Sequence, residues 1–214
     1  MTGEPVTPRI RILCTDDHRI VREGIKLIIS QEPDMEVVAL AASRQEAVDL
    51  YTQHRPDITV MDLMLGQDSG VDAIRSIRGI DANARIIVLT MYQGEEDVFR
   101  ALEAGAITYL LKDQLTDDLI RTIRDVHAGL PSRLSPQVEA RLAERASRHS
   151  LTPRELQVLG LMSKGMRNRD IAAAIGVTEV TAQVHVKNIL HKLEVNDRTS
   201  AVHVGILRGL IHIS

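Results

Sequence analysis

Ile58-Thr59-Val60-Met61-Asp62 decides how the first half of this chain is read: a short β-rich run, suited to a buried strand, closed by a carboxylate. Three other apolar runs follow the same grammar. Ile10 to Cys14 leads into Asp16-Asp17, Arg85 to Leu89 ends at Thr90, and Thr108 to Leu111 ends at Lys112. With Met35 to Leu40 they make five strand candidates. Helical patterns separate and follow them at Val21 to Ser30, Arg44 to His54, Val71 to Ile77, Glu95 to Glu103 and Asp117 to Ala128. Strands alternating with amphipathic helices predict an α/β domain: a doubly wound, five-stranded parallel sheet covered on both faces.

In such a sheet every strand's carboxyl end lies on one edge, so Asp16, Asp17, Asp62, Thr90 and Lys112 converge there. Taken singly, each has an ordinary explanation, since Asp after a strand often caps a helix and Thr is a common β-former. Their joint placement points to one site. Three carboxylates in close quarters repel one another unless a cation shares them, and hard oxygen ligands suit Mg²⁺ better than zinc. Asp62 is then the candidate nucleophile for a phosphoryl group, with Lys112 holding a phosphoryl oxygen and the Thr90 hydroxyl turning to the modified group. Tyr109, three residues before Lys112, is placed to follow Thr90 as a second switch residue.

The second half reads differently. Residues 129–136 (Gly-Leu-Pro-Ser-Arg-Leu-Ser-Pro) form a linker, with Ser135 as N-cap and Pro136 in the first turn of a connector helix to about Ala146. From Leu151 the pattern is wholly helical. Thr152-Pro153-Arg154-Glu155 is a strong helix start, further starts fall at Asn168, Thr178 and Asp197, and Gly165 and Gly176 are stops. Residues 168–193 have helix-turn-helix spacing. On the longer helix, Ala182, Val186, Ile189 and Leu193 mark an inward face, and Glu179, Gln183, Lys187 and His191 an opposite polar stripe able to reach base edges in a major groove.

Charge separates the halves as the patterning does. Residues 1–130 carry 14 Lys and Arg against 22 Asp and Glu, residues 131–214 carry 12 against 7, and the whole chain is at −3. A basic half joined to an acidic one predicts a polyanionic partner for the basic part. One cysteine, Cys14, excludes a disulfide framework or thiolate metal site within the chain. The sequence shows neither a leader-like apolar segment nor a membrane-spanning stretch, so a soluble, cytoplasmic protein with no membrane partner is expected.

Residues 9–128 resemble a response-regulator receiver domain: acidic pair, acceptor Asp, Thr and Lys stand in the expected order. Asp16-Asp17-His18 followed by Val21-Arg22-Glu23-Gly24 further resembles the NarL/FixJ branch. Leu151-Thr152-Pro153-Arg154-Glu155, Asn168, Ile171-Ala172, Thr181, Val184-His185-Val186-Lys187-Asn188-Ile189 and Lys192-Leu193 resemble a LuxR-type helix-turn-helix domain over residues 148–214, leaving 129–147 as linker. The resemblance implies a flavodoxin-like receiver followed by a small all-α DNA-binding domain. It implies that Asp62 is the phosphoacceptor, that Asp17 and Asp62 bind Mg²⁺ directly with Asp16 assisting, and that the Met64 main-chain carbonyl completes the protein ligands. It places Gln183, Val184 and Lys187 near bases, and Thr181, Asn188 and Lys192 at phosphates and sugar of double-stranded DNA. A sensor histidine kinase is the implied phosphoryl source, and a phosphorylation-induced homodimer the implied DNA-binding form.

The chain departs from the family pattern after Asp62, where a usual Met-Pro pair and a later Asp-Gly give way to Leu65-Gly66-Gln67-Asp68-Ser69-Gly70. Glycine in place of proline predicts a less constrained loop. Gln183 stands where lysine is common, and Val180 where serine is frequent. Two other readings stay open at this level: a phosphorylation-independent DNA-binding regulator with a degenerate receiver, and a Mg²⁺-dependent aspartyl-phosphate phosphohydrolase. The second lacks a carboxylate two residues beyond Asp62, where Met64 stands.

Overall fold

The computed structural model describes residues 8–66, 68–91, 94–112, 117–131, 134, 136–146 and 150–212. The expected N-cap Ser135 lies outside these residues. The chain divides into two compact units, Met1–Tyr92 with Phe99–Val138 and Gln93–Val98 with Glu139–Ser214.

In the first unit, β1 (Ile10–Thr15), β2 (Met35–Ala41), β3 (Ile58–Met61), β6 (Ile86–Thr90) and β7 (Thr108–Leu111) form one sheet in the order β2-β1-β3-β6-β7. All four pairings are parallel. Helices α1 (Arg19–Ser30), α2 (Arg44–His54), α3 (Gly70–Ile80), α4 (Glu95–Glu103) and α5 (Asp117–His127) supply the crossovers and the closing helix. The order reverses direction between β1 and β3, and a parallel sheet opens its binding crevice at that switch point, outside the strands' carboxyl ends. Asp16 follows β1 and Asp62 follows β3, so topology alone makes them neighbours.

Side chains alternate along each strand. Ile10, Ile12 and Cys14, Ile58 and Val60, and Ile87 and Leu89 join Ile25 and Ile29 of α1 and Leu119, Ile123 and Val126 of α5 in one core cluster. The intervening Leu13, Met61, Ile86 and Val88 are also buried. A sheet buried on both faces needs near-continuous apolar runs, which is why these strands read as solid blocks rather than alternating ones.

A feature absent from the expected elements is a small antiparallel hairpin, β4 (Met64–Leu65) with β5 (Asp68–Ser69), pairing Met64 with Ser69 and Leu65 with Asp68. Gly66 takes φ +68 at its turn. A less constrained loop is expected where glycine replaces the usual proline; within it Met64–Leu65 and Asp68–Ser69 pair as this short ladder. Two-residue strands are too short to leave a hydrophobic period, so this pairing had no sequence signal. Thr90 is the last residue of β6 rather than the first beyond it, and α1 starts at Arg19, two residues before the apolar period that marked it.

Helix α6 (Pro136–Ala146) stands where the connector helix was expected. In the second unit, α7 (Pro153–Ser163), α8 (Asn168–Ile175), α9 (Glu179–Leu193) and α10 (Arg198–Leu207) surround a core that includes Val158, Leu159, Ile171, Ile175, Ala182, Ile189, Leu193 and Ala201. Thr152 and Glu155 form a reciprocal capping box at the start of α7. Gly176, in the left-handed region at φ 68, ends α8, and Thr178 caps α9 by accepting the Thr181 N–H. Gly176 and Thr178 together turn one helix into the next within three residues.

Glu155 does more than cap. It is buried, and its Oε2 accepts from the Thr152 N–H at 2.8 Å and the Thr152 hydroxyl at 3.0 Å and pairs with Lys192 Nζ at 2.7 Å. Burial alone would raise its carboxyl, but Lys192 and the Thr152 donors outweigh that and hold it below the ordinary range. A lowered folded-state value gives stability that is present above the unfolded glutamate value, about 4.3, and is lost as pH falls through the folded one. Glu155→Ala should destabilise this unit by about 2 kcal/mol at neutral pH and flatten its acid-unfolding profile, read by circular dichroism against pH and temperature.

Candidate phosphoryl and DNA-binding sites

At the switch point, Lys112 Nζ lies 2.5 Å from Asp16 Oδ2 and 2.5 Å from Asp62 Oδ2. All three side chains are nearly excluded from solvent. Burial raises the Asp62 carboxyl above its ordinary range; hydrogen bonds from Lys112 and Thr90 oppose the rise without cancelling it, and the Asp16 charge adds to it. Burial pulls the Lys112 ammonium down, yet hydrogen bonds to Asp16 and Asp62 prevail and its pKa is raised. Lys112 is thus a fixed cation bridging the carboxyl ends of β1 and β3, although it follows β7, two strands beyond β3.

Backbone groups complete the cradle. The Asp62 N–H donates to the Thr15 carbonyl at 2.9 Å, and Asp62 Oδ1 accepts the Leu63 N–H at 2.7 Å. Asp16 Oδ1 accepts the His18 N–H at 2.9 Å, while Arg22 donates to the Asp16 carbonyl. Asp17 Oδ2 accepts the Gly66 N–H at 3.1 Å, so the β4–β5 turn is tied to the acidic pair. Met64 is half-buried in β4, two residues beyond Asp62.

The residues fit a divalent cation. Asp16, Asp17 and Asp62 are three carboxylates against the Lys112 ammonium and the Arg22 guanidinium, a negative excess when all are ionised. Asp17 Oδ1 is shielded from solvent and accepts no hydrogen bond, although His18 Nδ1 lies 2.7 Å away. Ligand atoms of Asp16, Asp17 and His18 lie within 4.8 Å of one another. His18 was not among the expected ligands; its only sequence signal was adjacency to the acidic pair.

Thr90 ends β6 and is fully buried, in register with Leu111, one residue before Lys112. Tyr109 is also fully buried, in β7 opposite Val88. The structure therefore brings Asp16, Asp17, Asp62, Thr90 and Lys112 together, and sets Tyr109 on β7, the strand that Lys112 follows.

The recognition-helix positions separate into two groups. Thr181, Gln183, Val184, Lys187 and Asn188 are exposed on α9, as are Glu179 and His191 of the polar stripe, while Ala182, Ile189 and Leu193 are buried beneath them. Lys192 differs: it is only partly exposed and its ammonium is engaged by Glu155. Spacing could not show this, because Glu155 lies 37 residues away in sequence.

Comparison with known proteins matches these two halves separately. Residues 12–124 match the response regulator receiver domain, and residues 149–205 match the bacterial regulatory proteins of the luxR family. The response regulator protein VraR of Staphylococcus aureus (strain NCTC 8325 / PS 47) is 36% identical over 207 residues, covering 94% of this chain and 99% of VraR. Among solved structures, the response regulator ChrA of a heme-sensing two-component system is 31% identical with a TM-score of 0.57, covering 96% of this chain and 100% of that one. RcsB dimers bound to DNA give a TM-score of 0.65 at 22% identity, covering 92% and 97% of the chains, a likeness of fold alone.

Gly70 is the tightest point of the site. A Cβ there would meet the Asp62 carbonyl oxygen at 2.0 Å and Leu63 Cα at 2.7 Å, both backbone atoms that cannot swing aside. Gly70→Ala should displace the backbone carrying Asp62 and cost about 3 kcal/mol or more, measured by chemical denaturation, whereas Gly79→Ala, with open space at the same test, should not destabilise.

Proposed function

Because this chain belongs to the response regulators that join a receiver domain to a LuxR-type DNA-binding domain, we propose that Asp62 is its phosphoacceptor and that the acyl phosphate formed there governs operator binding by α9. The chain is a phosphorylation-dependent transcriptional regulator of a two-component system. The observation that carries the assignment of Asp62 is its place at the switch point, bridged to Asp16 through Lys112 at 2.5 Å on each side.

In the reaction, an Asp62 carboxylate oxygen attacks the phosphorus of a phosphohistidine on a sensor kinase; the new O–P bond forms as the N–P bond breaks and the imidazole leaves. Asp17 and Asp62, with Asp16 assisting and the Met64 carbonyl as a further ligand, would hold Mg²⁺, which when bound would supply positive charge against the phosphoryl oxygens. Lys112 shifts its hold from the carboxylate to a phosphoryl oxygen, at almost no cost in reorganisation, because it already sits beside Asp62. Thr90, which bonds Asp62 in the unmodified protein, redirects its hydroxyl to the larger anion and draws the end of β6 with it. Tyr109 then repacks, and the change on the α4–β7–α5 surface favours a homodimer.

Residues 9–128 form the receiver, 129–147 the linker and 148–214 the DNA-binding domain. In the dimer, two copies of α9 enter successive major grooves, with Gln183, Val184 and Lys187 toward bases and Thr181 and Asn188 toward the backbone, and half-sites lie about 10 base pairs or a multiple apart. Lys192, which Glu155 holds, both orients α9 and faces a phosphate in this reading. In this reading the chain acts as a switch rather than an enzyme with turnover on external esters, a cytoplasmic protein with a sensor histidine kinase and a double-stranded DNA operator as its partners. Among the described residues no helix is long and apolar enough to cross a membrane.

Full-length protein with Mg²⁺ and a small acyl-phosphate donor should gain one phosphoryl group by intact mass and bind double-stranded DNA more tightly, and Asp62→Asn should lose both changes. Unmodified wild type with unchanged binding would overturn the proposal in favour of a phosphorylation-independent regulator.

A further inference from the structure

The outer face of α9 carries two large apolar side chains that the fold does not use. Val180 is 68% exposed and Val184 51% exposed. They stand at i and i+4, one above the other on a single face. The helix cannot rotate to bury them, because Ala182, Ile189 and Leu193 already anchor the opposite side in the core. Local folding does not favour them either, since valine is stiff at χ1 and a weaker helix former than alanine or the long polar residues. Two exposed β-branched residues on the very helix that meets DNA call for a reason outside the domain.

We infer that Val180 and Val184 form an apolar strip that reads the 5-methyl groups of two thymines in the operator, making Val180 a specificity-determining residue beside the family-matched positions. The inference rests on the DNA-binding reading above and extends it to base chemistry. Among base edges in a major groove, the thymine methyl is the one apolar feature. Residues i and i+4 are separated by about 6 Å along a helix, and stacked bases by about 3.4 Å, so the two valines meet thymines one or two base pairs apart. Gln183 lies between them in sequence, also exposed, with an amide suited to adenine N6 and N7. An adenine read by Gln183 brings its own paired thymine into the same groove, so one A·T-rich step satisfies the amide and the strip together. Serine at position 180 would offer a hydroxyl there and lose this selection.

The test uses the full-length phosphorylated chain and an oligonucleotide duplex that it enriches from a random pool. Each thymine of the enriched site is replaced in turn by uracil, which removes the methyl and keeps every hydrogen-bonding group. Wild type should lose roughly four-fold in affinity at each of two positions, the effect of one methyl-sized group withdrawn from contact. Val180→Ala should abolish the sensitivity at one position and Val184→Ala at the other, with both proteins keeping the wild-type salt dependence. An enriched duplex bound equally well with every uracil, or a sensitivity that persists in both variants, overturns this inference and leaves DNA binding intact. Failure to enrich any sequence overturns base reading by α9 altogether. The uracil series on wild type requires no variant, so the outcome does not depend on how the alanine substitutions fold.

Discussion

Gathering three carboxylates at one sheet edge is electrostatically unfavourable, and the first unit is organised around making it tolerable. Lys112 does so from just beyond β7, two strands from β3, placing one ammonium 2.5 Å from both Asp16 and Asp62. The arrangement leaves a negative excess, so the site is both stable enough to exist and charged enough to attract a divalent ion. The phosphoryl group proposed for Asp62 would alter the same balance. Asp62 follows β3, Thr90 ends β6 and Lys112 follows β7, so the proposed switch has a path sideways through the sheet, away from the crevice.

The loop beyond Asp62 shows how a departure from a family's usual residues is accommodated. Proline would stiffen the backbone through its ring. Here β4 and β5 stiffen it through pairing, Gly66 supplies the positive φ of the turn, and its N–H reaches Asp17. Gly70 permits the start of α3 to press directly on the Asp62 backbone. These contacts bear on the loop that follows Asp62 and on the Asp62 backbone itself.

The second unit relies on a comparable economy of contacts. Glu155 closes the α7 cap and also holds Lys192 near the end of α9, so one buried carboxylate ties a helix start to the recognition helix. The core beneath α9 is small and aliphatic, which fixes the helix's rotation and so decides which side chains face outward. That outward set includes Gln183 and Lys187, expected from the polar stripe, and Val180, which no polar pattern would single out.

Most of the architecture was legible in the chain itself, because buried parallel strands require continuous apolar runs and amphipathic helices require a 3.6-residue period. Those two requirements located all five sheet strands and the helices, to within a few residues at their ends. The chemical site was legible for a related reason: in a parallel sheet, position along the chain at a strand's carboxyl end translates into position in space, so chain position alone brings Asp16, Asp62, Thr90 and Lys112 together. What lay beyond sequence depended on contacts between residues far apart in the chain, or on backbone geometry that leaves no periodic trace. The β4–β5 hairpin, the Gly66 bond to Asp17, the Gly70 contact with Asp62 and the capture of Lys192 by Glu155 are of this kind. Sequence by itself determined the elements and the chemistry they deliver to one edge; tertiary structure alone decided which of those groups are paired, shielded or left facing outward, because pairing and exposure are properties of distances that no local pattern encodes.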